Sequence, residues 1–265
     1  MTTAIPTRSS YIEHPLLVIE RILRDREQLW RDIHREHGLN DLIIQMLASS
    51  SLSLFLYGGI MGVSNGDLWQ ALASAIKLPI LFLLTLAICL PTLYLFNLVF
   101  GARMSVRQAL GVVMVAITVT ALLTLAFAPI TLFFLLTARD YEFFKLLNVM
   151  ILSLTGIIGL RFLVNGMHSM NALANESPLP PPPVFNDNGK PTPPPPLPPI
   201  AHPQATNMSL LYIWIALYGF VGTQLGWTLR PFFGDPNVPF QIFRQLEGNF
   251  YVDIVQTIIR IVVGG

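Results

Sequence analysis

Few side chains in this sequence stand in a pattern that does chemistry. "HREH", His34 to His37, sets two imidazoles one helical turn apart with Glu36 beside them. Two histidines three apart can begin a metal site, but no further ligand cluster accompanies them, and a helix C-terminus favours histidine through its dipole. Asp140 with Glu142, and Asp235 with Glu247, read as solvated loop acids. The sequence holds no nucleophile elbow, no HExxH, no phosphate-cradling glycine loop and no carboxylate pair inside an apolar run. Catalytic, metal-binding and cofactor-binding residues are therefore not assigned, and a protein without enzymatic activity is expected. Cys89 is the single cysteine. It lies in an apolar run and reads as a small core residue, with no intramolecular disulfide to form.

The elements that would have to position any chemistry are membrane spans. Of 265 residues, 53% are hydrophobic and 12% charged, and the formal charge is +1. That balance fits an all-α integral membrane protein, and no nucleic-acid partner is expected. A helix needs about 20 apolar residues to cross a hydrocarbon layer about 30 Å thick. Five segments qualify: Asp41 to Val63, Ala71 to Gly101, Ser105 to Thr137, Glu142 to Gly166 and Met208 to Leu229. The third is too long to cross straight and is expected to tilt, emerge or kink at Pro129. The chain thus divides into a cytoplasmic amphipathic helix over 1–40, a four-helix membrane region over 41–166, a proline-rich linker over 167–207, a fifth span over 208–229, and a loop with an interfacial helix over 230–265.

An odd number of spans puts the termini on opposite sides. With the N-terminus inside, the cytoplasmic parts hold Arg8, Arg21, Arg24, Arg26, Arg31, Arg35, Arg103, Arg107, Arg161 and Lys190, and the outside keeps Lys77, Arg139, Lys145, Arg230, Arg244 and Arg260. The excess of basic residues inside orients the chain accordingly. No short basic stretch, apolar run and cleavage site open the sequence, so the first span is expected to act as its own insertion signal. Lys77, Arg107 and Arg161 sit near the expected span ends, where long cationic side chains snorkel.

Three stretches carry interaction signals. "HPLLVIERILRDREQLWRDIHREHG", His14 to Gly38, is an amphipathic helix with Pro at its start and Gly at its end. Leu16, Ile19, Leu23, Trp30 and Ile33 share one face, and Glu20 with Arg24 and Glu27 with Arg31 are favourable pairs. Its near-neutral charge fits packing against protein, so Leu23 and Trp30 are partner-docking candidates; Arg26 breaks the heptad. The tract Pro178 to Pro203 takes a polyproline II form, either as a semi-rigid spacer or as bait for an aromatic groove through Pro194, Pro196, Leu197 and Pro199. From Asn249 onward Asp253, Gln256, Thr257 and Arg260 form a polar stripe on a helix too short to span, which lies in the interface, docks on a membrane partner, or forms an incomplete sixth span.

Inside the spans, Gly58 and Gly62, and Gly219, Gly222 and Gly226, stand at spacings that let helices pack closely, within the chain or across an oligomer. Gln45, Asn97, Asn148 and Gln224 read as interhelical hydrogen-bond donors or, with Pro79, Pro91 and Pro129, as the lining of a transport path.

"KLPILFLLTLAICLPTLYLFNLVFG", "GTQLGWTLRPFFGDP" and "QIFRQLEGNFY", with a proline-rich tract before the last span, resemble a group of uncharacterised bacterial multi-pass membrane proteins, some carrying the automatic name actin-binding WH2 domain-containing protein. The resemblance covers most of the chain from Lys77 onward and implies no established activity. The layout is also similar to Yip1-type membrane proteins, by analogy alone. The function expected is a subunit, anchor or assembly factor of a bacterial inner or thylakoid-type membrane complex. Its partners would be membrane proteins or copies of itself, the bilayer, and a cytoplasmic polyproline-binding protein. The alternative is a small transporter or channel lined by Pro-kinked helices and Asn/Gln side chains.

Overall fold

The computed structural model describes residues 15–65, 67–99, 105–137, 140–175, 208–233 and 250–263. The proline tract, with Pro194, Pro196, Leu197 and Pro199, lies outside the described residues, as do Asp235, Glu247 and the side chains of Leu23 and Asn97. Every described element is helical, and five helical stretches are long and apolar enough to cross a membrane: Leu39–Gly62, Leu68–Leu95, Val106–Thr137, Tyr141–Leu173 and Ser209–Thr228. The protein is an all-α, multi-pass integral membrane protein.

The N-terminal helix is not continuous. It forms α1 (Pro15–Arg24) and α2 (Arg26–His34), separated by Asp25 with φ −117° and ψ 50°. Arg21 is paired with Asp32 across the break. Eleven positions apart, the two would be separated by about 16 Å along a straight helix, so the pair and the bend support each other. Gly38, at φ 62°, then turns the chain in a left-handed conformation that a Cβ would strain, and α3 (Leu39–Gly62) begins.

α3 and α4 (Leu68–Val99) form an antiparallel hairpin joined through a short 3-10 turn, Val63–Asn65. Gly58 and Gly62 are what allow the approach, as expected for close-packed spans. A methyl added at Gly62 would stand 2.5 Å from Ala71 Cα, and one at Gly58 would stand 2.6 Å from the Ser74 carbonyl oxygen. α4 stays helical through Pro79 and Pro91. It also begins earlier than the sequence predicts, which moves Lys77 nine residues inside the helix. Lys77 therefore does not snorkel: it is buried, and its Nζ donates to the Pro231 carbonyl at 3.4 Å.

α5 (Val106–Ala126) starts in a capping box, where Gln108 N donates to Ser105 Oγ and Ser105 N to Gln108 Oε1. Phe127 interrupts it and α6 (Ala128–Thr137) follows, since Pro129 has no N–H to continue the ladder. α5 is the axis of the bundle. In its most apolar stretch 67% is buried, and it packs against both α3 and α7. Small and β-branched residues from Gly111 to Ala121 fill both contacts.

α7 (Tyr141–Asn175) runs nine residues past the predicted end of the fourth span. At about 52 Å it outreaches the hydrocarbon layer, and its last turns hold the N-terminal arm. Trp30 lies against Gly166, where an added methyl would meet the indole at 2.5 Å, and Arg26 stacks over the Phe162 ring at 4.8 Å. Trp30, expected to dock a partner, is thus enclosed by the chain's own helices, together with Leu29 and Ile33.

The remaining spans are tied by buried hydrogen bonds rather than charges. Tyr57 Oη donates to Asn148 Oδ1 at 2.8 Å and lies 3.1 Å from Thr131 Oγ1, joining α3, α7 and α6. Thr124 and Thr155 hydroxyls meet at 2.9 Å between α5 and α7. Trp214 Nε1 donates to the Cys89 carbonyl at 2.8 Å, holding α8 (Met208–Thr228) to α4. Asn148 is accordingly interhelical glue.

Candidate functional site

α8 packs on α4 and on the last helix, α9 (Phe250–Val263), and stands away from α5 and α7. The space between is a cleft of about 590 Å³, inside the size range of small-molecule sites. It runs along α8 from Trp214 to Trp227, about 20 Å at helical rise.

Glycines make the room. Gly156 and Gly159 of α7 and Gly219, Gly222 and Gly226 of α8 line the cleft. A methyl on Gly219 or Gly156 would meet nothing within 4 Å, one on Gly222 would touch Thr85 at 3.5 Å, and one on Gly226 would reach Leu81 at 3.9 Å. The sequence predicts helix packing at Gly219, Gly222 and Gly226. Gly219 meets no other helix, whereas Gly222 and Gly226 have Thr85 and Leu81 of α4 within van der Waals reach, and Gly58 and Gly62 on α3 have α4 backbone directly opposite.

The walls are otherwise apolar, with Leu78, Phe82, Ile117, Leu152, Ile157 and Leu160 among them. Beside the cleft, the Tyr218 hydroxyl and the Trp227 indole N–H are shut off from solvent and have no hydrogen-bond partner among the described residues. A buried polar group left so costs about 1–3 kcal/mol, which makes these positions informative.

At the end where α8 finishes, the cleft has a charged mouth. Lys145 Nζ lies 2.9 Å from Glu142 Oε2 and 3.2 Å from Asp253 Oδ2, and Arg260 Nη1 lies 3.1 Å from Glu142 Oε1. Arg230 stacks over the Trp227 ring at 3.7 Å. Lys145 and Arg260 thus hold the carboxylates of Glu142 and Asp253, with Arg230 on the Trp227 ring nearby. The loop that carries Arg230 is folded back on α4: Gln70 Nε2 donates to the Pro231 carbonyl at 3.1 Å and Ser74 Oγ to the Phe232 carbonyl at 2.6 Å, while Phe233 meets the Phe144 ring edge-on at 5.8 Å.

α9 completes the mouth. Of its polar stripe, Asp253 and Arg260 hold α7 and Thr257 is buried, while Gln256 is exposed; Tyr251 Oη lies 3.0 Å from Thr223 Oγ1 of α8. Val252, Val255, Ile258 and Ile259 are exposed. At 14 residues it is too short to cross. The stripe at helical spacing was the signal in the sequence. Its partners, Glu142 and Lys145, had none, because they face it from 108 to 118 residues away.

The residues expected to line a transport path are not gathered in the cleft. Gln45, Asn148 and Gln224 do not line it, and its small hydroxyl side chains are Thr85, Thr120, Ser153 and Thr223. His34 and His37 sit at the opposite end of the bundle, where the His34 carbonyl accepts from Gln108 Nε2 at 2.7 Å and Glu36 pairs with Ser105. Among the described residues no three His, Cys, Asp or Glu side chains cluster as a metal site would require. Comparison with known proteins adds no relative to this description: no family model, curated protein or solved structure matches the chain.

Proposed function

We propose that this chain is a non-enzymatic subunit, anchor or assembly factor of a larger membrane complex in a bacterial inner or thylakoid-type membrane, with α1, α2 and the proline tract in the cytoplasm and α9 outside. The observation that carries this reading is the N-terminal arm. It is bolted to the bundle by Trp30 at Gly166, by Gln108 to the His34 carbonyl and by Ser105 to Glu36. Its outward surface is a fixed plate of paired charges, Glu20 with Arg24 and Glu27 with Arg31. A rigid charged plate on a lipid-facing bundle supports docking of a partner at the aqueous end, and the adjoining proline tract supplies a second contact. Solubilisation in mild detergent, affinity isolation and mass spectrometry are expected to recover a stoichiometric partner. Its loss on deleting Pro178 to Pro203 would assign docking to the tract, and its retention would assign docking to the plate. A chain that always isolates alone would end the reading.

The cleft favours a second reading, a small transporter. Substrate-dependent flux in liposomes that disappears in Gly219→Leu would support it, and flux at the level of empty liposomes would remove it.

A further inference from the structure

We propose that α9 is seated in the bilayer interface, with Val255, Ile258 and Ile259 against the acyl chains of the leaflet at the end where α8 finishes. Its residues allow three places for this helix, and its contacts select one. The proposal does not rest on the partner reading.

Two contacts fix the depth of α9. Trp227, a residue type that favours the headgroup level, stands in the last turn of α8. The Tyr251 hydroxyl lies 3.0 Å from Thr223 Oγ1, one turn or about 6 Å inside Trp227. Asp253 Oδ2 lies 3.2 Å from Lys145 Nζ, one turn inside the start of α7. The first turn of α9 is thus held beside the spans, below their ends and not above them. That is the depth, roughly 5–10 Å, at which amphipathic helices settle in a bilayer.

The outward face decides what covers it. Val255, Ile258 and Ile259 are exposed, and at 3.6 residues per turn they fall in one arc. Exposed Gln256 and Arg260 border that arc on one side only, while Asp253 is paired with α7 and Thr257 is buried. Helices that meet in lipid do so through small residues and hydrogen-bonding side chains. The arc offers neither, so acyl chains fit it and another helix does not. A sixth crossing is also out of reach, since 14 residues cover about 21 Å of a layer about 30 Å thick.

The test uses the full-length chain in phosphatidylcholine vesicles, with Cys89→Ala and one nitroxide label at Val255→Cys, Ile259→Cys or Gln256→Cys. Relaxation by oxygen, which concentrates in lipid, is compared with relaxation by a water-soluble nickel chelate. The oxygen-to-nickel ratio is expected to be at least fivefold higher at Val255→Cys and Ile259→Cys than at Gln256→Cys. Equal ratios at the three positions would place the face in water. Labels at the two apolar positions shielded from both reagents would place protein over it, a second copy included. A label at the bilayer midplane would make α9 part of a crossing. Each of these three results would overturn the proposal. If Cys89→Ala folds poorly, the parent chain is photolysed in vesicles whose phosphatidylcholine carries a diazirine in its acyl chain. Adducts on α9 at no less than half the yield found on α8 are expected, and adducts confined to the spans would overturn the seat.

Discussion

Gly62 and Gly219 are the same residue in similar surroundings of sequence, and they meet opposite environments. Gly62→Ala would drive a methyl to 2.5 Å from Ala71 Cα, and backbone cannot yield as a side-chain tip can. Gly219→Ala would add a methyl to open space. The expected result is a marked loss of folded, monodisperse protein for the first and an unchanged melting temperature for the second, read by size-exclusion chromatography and thermal denaturation in detergent. This contrast also marks how far residue-level reading reaches. The spacing of glycines shows where a helix surface is bare. What faces that surface depends on which helix arrives there, and the Gly166 notch for Trp30 went unnoticed for the same reason. Lys77 teaches the matching lesson for charge, because its depth followed from where α4 begins, not from its own type.

At the scale of elements, two helices outside the bundle proper are held by few, nameable contacts. Gly166→Leu would occupy the space of the Trp30 indole, which is enclosed and has nowhere to move. The arm is expected to detach and trypsin to cut faster at Arg24, Arg26 and Arg31, while the spans keep their helicity by circular dichroism. α9 offers a similar experiment at the other end. Asp253→Asn together with Arg260→Gln removes its ion pairs to Lys145 and Glu142. Thr257→Cys, buried against the chain when α9 is seated, is then expected to react with a water-soluble maleimide at least several-fold faster than in the otherwise unaltered chain. The helices themselves were legible from apolar run length, from Pro15 and Gly38, and from the stripe on α9. The break at Asp25 was not, because the hydrophobic period runs on through it and the bend answers to the Arg21–Asp32 pair and to docking on two different spans.

The whole molecule is a bundle with unlike ends: a charged arm sits on the long ends of α5 and α7, and an ion-paired helix sits beside the first turns of α7. Five crossings would place these ends on opposite sides of the bilayer. Reporter fusions placed before Pro15 and after Arg260 are expected to report opposite compartments, the former cytoplasmic by its excess of arginine. Two reporters on one side would remove a crossing from the count.

The burial of α5 has a consequence for how the protein is made. Synthesis delivers α5 to the bilayer before α7 exists, so the face that α7 later covers must first rest against lipid. Its Thr120 and Thr124 hydroxyls suit that interval, since each returns a hydrogen bond to the carbonyl one turn earlier in its own helix. The axis of the finished bundle is thus a helix that can wait, exposed, for the span that will enclose it.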